Sequence, residues 1–394
     1  MSKGILALIT LALLIIGSAH AQGIVVPGDS NGDNIVSAEE VAAAEKLAKE
    51  GKLSADQLQE IKHIHEKYPI EITDSANNTI SIYKPIKKLV IQHTTGYLPV
   101  FILGAQDKIV AVTTTAQEDY SWVPGMKDKP TVGGYKELDF EKIISAKPDV
   151  IFTSKERPDI KEKLEPGNIS VVALKFAETA KFDQEFRTLS KLLEKSEKAE
   201  EFISWRDSYL DQIKGKTEEI DQKIRVFLGS GGSRSQTWSS NTIGSGIHDA
   251  VTMAGGHNIV SELPGVYSVT VDPEWVIEKD PEAIIVMGWG AGEEPSGLTG
   301  YDINSPDKAK QFIESLRDNE VLKNTSAARN DRIYVIDGSL MLGSTTSYLG
   351  AIYCAKWFYP ELFKDMIPEQ IHKEFIEKWI GASYKGVWAY PQAG

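Results

Sequence analysis

The stretch Asp29-Ser30-Asn31-Gly32-Asp33-Asn34-Ile35-Val36-Ser37-Ala38-Glu39-Glu40 places oxygen-bearing side chains at its positions 1, 3, 5, 9 and 12. A hard cation such as calcium takes about six to eight oxygen ligands. The expected donors are Asp29, Asn31, Asp33, the backbone carbonyl of Ile35, Ser37 and Glu40, with Glu40 closing the shell from the following helix. The same residues also suit a polar turn running into a helix, with Ser37 and Glu40 as a capping box. Signatures of catalysis are missing: there is no GxSxG elbow, HExxH pair, Walker A loop or GxGxxG after a first strand, and none of the 7 histidines has a metal-ligand neighbour at i+4. An enzyme is not the expected reading. Its single cysteine, Cys354, removes any internal disulfide, CxxC redox pair or cysteine-cluster metal site.

The chain has 394 residues, a length that suits more than one domain, and its 43 Lys plus Arg against 56 Asp plus Glu give a formal charge of −13. That balance disfavours nucleic acid or an anionic membrane surface as the main partner. Residues 1–21 read as an export signal, with Lys3, an apolar run Ile5–Ile16 and Ala19-His20-Ala21 as the cleavage site; an uncleaved signal anchor is the alternative. Either reading places the mature protein outside the cytoplasm, periplasmic, extracellular or at the cell surface. Asn77, Asn168 and Asn324 head N-glycosylation triplets, which arise often by chance.

The Asp29–Glu40 spacing is that of an EF-hand loop, with Asn34 in place of the usual Gly at position 6. Asn tolerates the left-handed backbone better than most residues. A shift of 17 residues aligns Ile35–Val41 with Lys52–Leu58, but the second copy offers Lys46, Ala48, Glu50 and Gln57 where ligands are needed. One site is expected to be live and one degenerate. Residues 22–68 resemble a dockerin or similar EF-hand pair, which implies a cohesin-like partner. His63 and His65, two apart on the second helix, are expected to be solvated and not to pair on a metal.

From Ile70 onward, short apolar runs alternate with amphipathic stretches, the pattern of an α/β fold with largely parallel sheets. Strands are predicted at Lys88–Gln92, Ile109–Thr113, Val150–Thr153, Ser170–Leu174, Ile224–Leu228, Ala283–Met287 and Arg332–Ile336. The pattern occurs twice: Asp139–Phe152 aligns with Asp272–Ile285 at an offset of 133, each a helix, a proline stop and a strand. Leu103–Val110 has a looser counterpart in Met253–Val260. Between the copies, Asp183–Asp221 has no Pro and no Gly before Gly215, and it reads as helix with a turn near Lys195-Ser196. Its second part, Glu197–Glu219, is long enough, at roughly 35 Å, to join two lobes as a stiff strut. The predicted organisation is a first lobe over 69–195, an interlobe helix over 196–222 and a second lobe over 223–394. The fold class is α/β, two Rossmann-like lobes with mostly parallel sheets joined by one long helix, plus a small N-terminal helical EF-hand-like module.

Five segments carry a resemblance to a known family: Ile72–Ile80 leading into Lys87–Ile91, Leu103-Gly104-Ala105, Val132–Tyr135, Lys147–Ile151 and Arg332–Gly338. In their order, and with the doubled helix-Pro-strand unit, they resemble the substrate-binding proteins of ABC importers for iron–siderophore, haem and cobalamin uptake, from about Glu71 to Tyr390. The resemblance implies a receptor that hands its ligand to a membrane permease driven by an ATPase. It also implies that Glu141 and Glu274, at matching places in the repeat, meet arginines of the permease; both fit solvated helix caps equally well.

Ligands of open α/β sheets bind beyond the carboxyl ends of the strands, so the facing loops of two such lobes are the expected site. The candidates are His93, Thr94, Tyr97, Tyr120, Trp122 and Tyr135 from the first lobe, with Arg234, Trp238, Tyr267, Trp289 and Ser344 from the second. His93 also fits a hydrogen-bonded structural role, and each Tyr or Trp fits core packing as well as ligand contact. The set is rich in aromatic faces and hydroxyls and poor in positive charge. That suits a bulky, partly apolar metal chelate or corrinoid better than an oxyanion such as molybdate or tungstate, which would ask for backbone N–H groups at Gly-rich turns. A calcium-dependent surface interaction protein is the alternative function.

Overall fold

The computed structural model describes residues 24–229, 238–288 and 296–393; the export-signal region, Arg234 and Trp289 lie outside them. Among the described residues no helix is long and apolar enough to cross a membrane. The N-terminal module is a pair of helices, Ala38–Lys49 and Ala55–Lys67. Each opens with the same reciprocal cap: Ser37 with Glu40, and Ser54 with Gln57, so the repeat read at a shift of 17 residues appears as two capping boxes. The apolar faces of the helices, including Ile61 and Ile64, join Val26, Val36 and Tyr68 in a core continuous with that of the first lobe. Lys87 pairs with Glu60 at 2.6 Å, and His63 pairs with Glu194 just before the interlobe helix. His65 donates through Nδ1 to the Val36 carbonyl at 2.6 Å. His65 is exposed and His63 half-exposed, so both meet solvent as expected, and each also fastens the second helix, one to the lobe and one to the loop.

A hairpin, β1 (Ile70–Thr73) and β2 (Thr79–Ile82), leads into the first sheet. That sheet contains β3 (Leu89–Ile91), β4 (Ile109–Ala111), β5 (Val150–Thr153) and β6 (Ser170–Ala173), all parallel, in the order β4-β3-β5-β6. The second lobe begins with β7 (Arg225–Leu228), and a side hairpin pairs β8 (Trp238–Asn241) with β10 (Ser268–Val271). With β9 (His257–Asn258), β11 (Ala283–Gly288), β12 (Ile333–Asp337) and β13 (Ala389–Tyr390), its main sheet runs β13-β12-β11-β7-β9. Setting aside the antiparallel edge strand β13, the two sheets share one order, with the second strand of each sheet in chain order at the edge, then the first, third and fourth. Every predicted strand is present.

The copied unit explains the match. The carboxylates of Asp139 and Asp272 cap the helices Phe140–Ala146 and Pro273–Lys279 by accepting backbone N–H groups of Lys142 and Glu274. Both helices end on a left-handed residue, Lys147 (φ 50°) and Asp280 (φ 43°). A proline follows each, blocks further helix, and sends the chain into the third strand of its sheet. The strands missing from the sequence reading, β1, β2, β8, β9, β10 and β13, are short and carry few consecutive apolar residues; β8 reads Trp-Ser-Ser-Asn.

The interlobe helix is Ser196–Thr217, 22 residues and so about 33 Å. It is gripped from both sides. Phe202 meets Phe182 and Phe186 of the first lobe and Tyr348, Phe375 and Trp379 of the second, with ring centroids between 5.1 and 6.5 Å apart. Arg206, largely buried, pairs with Asp183 at 2.5 Å and Asp207 at 2.6 Å. Such packing makes the helix a strut rather than a loose linker.

Candidate ligand cleft and N-terminal loop

At the carboxyl end of β3, His93 caps the turn Thr94–Gly96, its Nδ1 accepting the Thr95 N–H at 3.3 Å. Burial lowers the His93 pKa, which keeps the imidazole neutral at pH 7. Tyr135 stands edge-on to it, with centroids 5.3 Å apart, and the Gln92 amide donates to the Tyr135 carbonyl. Thr95 Oγ1 donates to the Lys175 carbonyl at 3.2 Å and so joins the loops after β3 and β6.

Three predicted contacts prove to be supports. Tyr97 has no exposed surface; its hydroxyl donates to the Ile91 carbonyl at 2.8 Å and accepts the Thr113 N–H at 3.2 Å. Burial pushes its phenol up to about 12. Tyr120 stacks on Tyr97 at 5.6 Å and donates to the Thr94 carbonyl at 3.1 Å, so it holds Thr94 in place and burial raises its phenol. Trp238 is buried against Phe227 at 5.8 Å in the core of the second lobe. In each case the strand or helix register turns the ring inward, where tyrosine hydroxyls find backbone partners.

Two other predicted residues join the lobes. Trp122, after β4, stacks on Tyr301 of the second lobe at 5.0 Å and 25°. Ser344, after β12, donates through Oγ to the Phe176 carbonyl beyond β6 at 2.7 Å. Phe176 has φ 45°, a costly conformation for a bulky residue, and its N–H is held by the Glu185 carboxylate at 2.6 Å.

Tyr267 adds an apolar rim. Its backbone sits at φ 70°, pinned by its N–H to the Ile243 carbonyl at 2.9 Å and by the Thr242 N–H to its own carbonyl at 3.1 Å. Tyr267 is 58% exposed, and Val266 (62%), Ile243 (52%) and Leu342 (41%) are exposed as well. Val266 and Tyr267 adjoin the turn that carries Ile243: a Cβ on Gly244 would lie 3.1 Å from Val266 and 3.5 Å from the Tyr267 ring, and the backbone of Leu342 runs beside Gly246 of the same turn. The Lys175 ammonium, across the lobes, is within electrostatic reach of the Tyr267 hydroxyl. Sequence reasoning missed Phe176, Lys175, Ile243, Tyr301 and Trp388, while Leu342 lies in the loop Leu340–Ser347 that strand order marks as ligand-facing. Position beyond β6 pointed to the first two; nothing local marked Tyr301 or Trp388.

A groove of about 970 Å³ also opens along β2 and the outer edge of β6, lined by Thr79, Ser81, Arg157, Asn168 and Val171, with none of the predicted ligand residues in its walls. The carboxyl ends of parallel strands are the better-founded place for a ligand. Glu141 and Glu274 lie exposed in the first turns of the two equivalent helices. The capping itself is done by Asp139 and Asp272.

In the N-terminal loop, Asp29 accepts the N–H of Gly32 at 2.7 Å and of Asn34 at 2.8 Å, while Asn34 takes φ 67°. Glu40 reaches back over the loop, accepting from Ser37 N–H at 3.0 Å and from the N–H and Oγ of Ser30 at 2.6 and 2.7 Å. Those bonds, led by the Ser37 N–H, lower its pKa to about 2. Among the described residues no three His, Cys, Asp or Glu side chains gather as a metal cage. The loop's oxygen set is mixed, from Asp29, Asn31, Asp33, Ser37, Glu40 and the Ile35 carbonyl, and fits a hard cation in donor type.

The sequence model of the family described as "Periplasmic binding protein" matches residues 90–340, more than half of the chain. The petrobactin-binding protein YclQ of Bacillus subtilis is 25% identical over 53% of this chain and 61% of its own. The molybdate-binding protein MolA of Haemophilus influenzae is 22% identical over 80% of this chain and 92% of its own. In structure, the TroA-like periplasmic binding protein FepB of Veillonella parvula superposes with a TM-score of 0.68 at 23% identity, covering 82% of this chain and 99% of that one. With two like lobes on a rigid helix and the family match running through both, the chain belongs to the periplasmic binding protein family, as the extracytoplasmic solute-binding receptor of an ABC importer.

Proposed function

We propose that the cleft captures a metal chelate with an apolar periphery, an iron–siderophore, haem or corrinoid complex, and delivers it to the permease. The observation that carries this reading is the rim of Ile243, Val266, Tyr267 and Leu342, held open to solvent by a left-handed turn. Exposed apolar groups clustered in this way mark a binding surface. A neutral His93 beside Tyr135 adds stacking and hydrogen bonding without charge. The relative YclQ, named for petrobactin, supports the same class. MolA, named for molybdate, supports the oxyanion alternative.

Mass spectrometry of material that copurifies, followed by calorimetry with ferric siderophores, haem, cobalamin and molybdate, tests the proposal. A chelate is expected to bind, and Val266→Ser with Tyr267→Ser to weaken it by roughly 10- to 100-fold through lost apolar contact. Tight binding of molybdate alone, unchanged in that double variant, would overturn it.

The N-terminal loop is proposed to hold one calcium ion. The supporting observation is Asn34, at the sixth position, in the left-handed turn that wraps the chain around Asp29. Calcium titration is expected to show one site with a Kd of about 10⁻⁶ to 10⁻³ M, weakened at least about tenfold in Asp29→Ala. Absence of calcium binding at about 10 mM would refute it. Because the module packs on the first lobe, chelating calcium should leave cleft binding in place; loss of a protein partner on chelation would favour the surface-interaction alternative.

A further inference from the structure

The lobes touch at both flanks of the first sheet. Trp122 follows the edge strand β4, and Phe176 follows the opposite edge strand β6, with the loop of His93 between them. Each ring of the Trp122–Tyr301 stack is delivered by a fixed piece of its own lobe. The Trp122 indole N–H donates to the Asp119 carbonyl at 3.0 Å, which locks the ring to the end of its helix. Tyr301 is set by backbone pairing of Gly300 with Val387. Gly386, at φ 97°, makes that approach possible: a Cβ there would lie 2.4 Å from the Gly300 carbonyl oxygen and 2.7 Å from that of Tyr301. Trp388 backs both rings, 6.5 Å from Trp122 and 6.4 Å from Tyr301, and the Lys385 ammonium sits 4.4 Å from the Tyr301 centroid.

We propose that Trp122 and Tyr301 form a clasp between the lobes, setting their resting separation and the rate at which the cleft exchanges solute, in place of the ligand platform that the sequence position of Trp122 suggests. Contacts of this kind bias an equilibrium between closed and parted lobes. An aromatic pair has the strength to shift that population by roughly 2- to 12-fold.

The test needs no ligand, so it is independent of the chelate assignment. Spin labels at Glu162→Cys and Glu314→Cys, both exposed and one in each lobe, report the interlobe distance by pulsed electron resonance; native Cys354 is buried and stays unlabelled. Trp122→Ala is expected to lengthen and broaden the distribution, Trp122→Phe to keep it near that of the parent, and Trp122→Ala with Tyr301→Ala to add nothing to the single change. A Trp122→Ala distribution that superimposes on the parent's, or effects of the two changes that simply add, overturns the clasp. Circular dichroism verifies folding, and if Trp122→Ala does not fold, Tyr301→Ala is read by the same distance criterion.

Discussion

Replacing Glu185 by Ala is expected to lower the unfolding free energy by roughly 2–4 kcal/mol, seen as a lower urea midpoint with an unchanged m-value. Glu185 is 7% exposed and both carboxylate oxygens are engaged: Oε1 accepts from Ser75 Oγ and Oε2 from the Phe176 N–H, both at 2.6 Å. Ser75 Oγ in turn accepts the Lys175 N–H at 3.2 Å, so the turn after β1, the loop after β6 and the helix Phe182–Leu192 share one network. Deleting the acceptor strands two donors and releases Phe176 from its left-handed conformation. The loss extends across the lobes, because the Phe176 carbonyl is the acceptor of Ser344. Glu185→Gln, which keeps one acceptor oxygen, should lose about half as much. A midpoint shift in Glu185→Ala equivalent to less than about 0.5 kcal/mol would show that the network contributes no more than an ordinary surface position.

The second large effect is on transport. Reversing the charge at both Glu141→Arg and Glu274→Arg is expected to leave ligand affinity within about twofold of the parent while reducing uptake, measured in vesicles carrying the permease and its ATPase, to background. Opposed charges steer docking and like charges penalise it. Both carboxylates are exposed in matching first turns, and neither forms an ion pair among the described residues. Their other reading, as helix caps, is weakened by Asp139 and Asp272, whose side chains already accept the N-terminal backbone donors. If they served only the helix dipole, reversal would cost about 0.3–1 kcal/mol of stability each and transport would continue. Single reversals should fall between parent and double variant, since each lobe presents one of the two charges.

How much of this could be read from the chain follows from which properties are local. The doubled Asp-cap, helix, proline and strand unit is written in side-chain types at fixed spacing, and it specifies the third strand of both sheets wherever the rest of the chain goes. The apolar runs that became β3 to β7, β11 and β12 are strands because parallel sheets covered on both faces demand continuous burial. The absence of Gly and Pro over most of Asp183–Asp221 likewise required helix.

Which way a ring points is not local. Tyr97, Tyr120, Trp122 and Trp238 all lie near strand ends, yet Tyr97, Tyr120 and Trp238 support the core and Trp122 faces the other lobe. Their roles were decided by the register of the elements beneath them. The rim depends on the Ile243 turn and the Leu342 loop meeting the Val266-Tyr267 segment, and the clasp joins residues 179 positions apart, Trp122 and Tyr301. Sequence patterning gives the period of a strand or helix; the pairing of distant side chains arises only when two lobes are set against one rod and their packing selects the contacts.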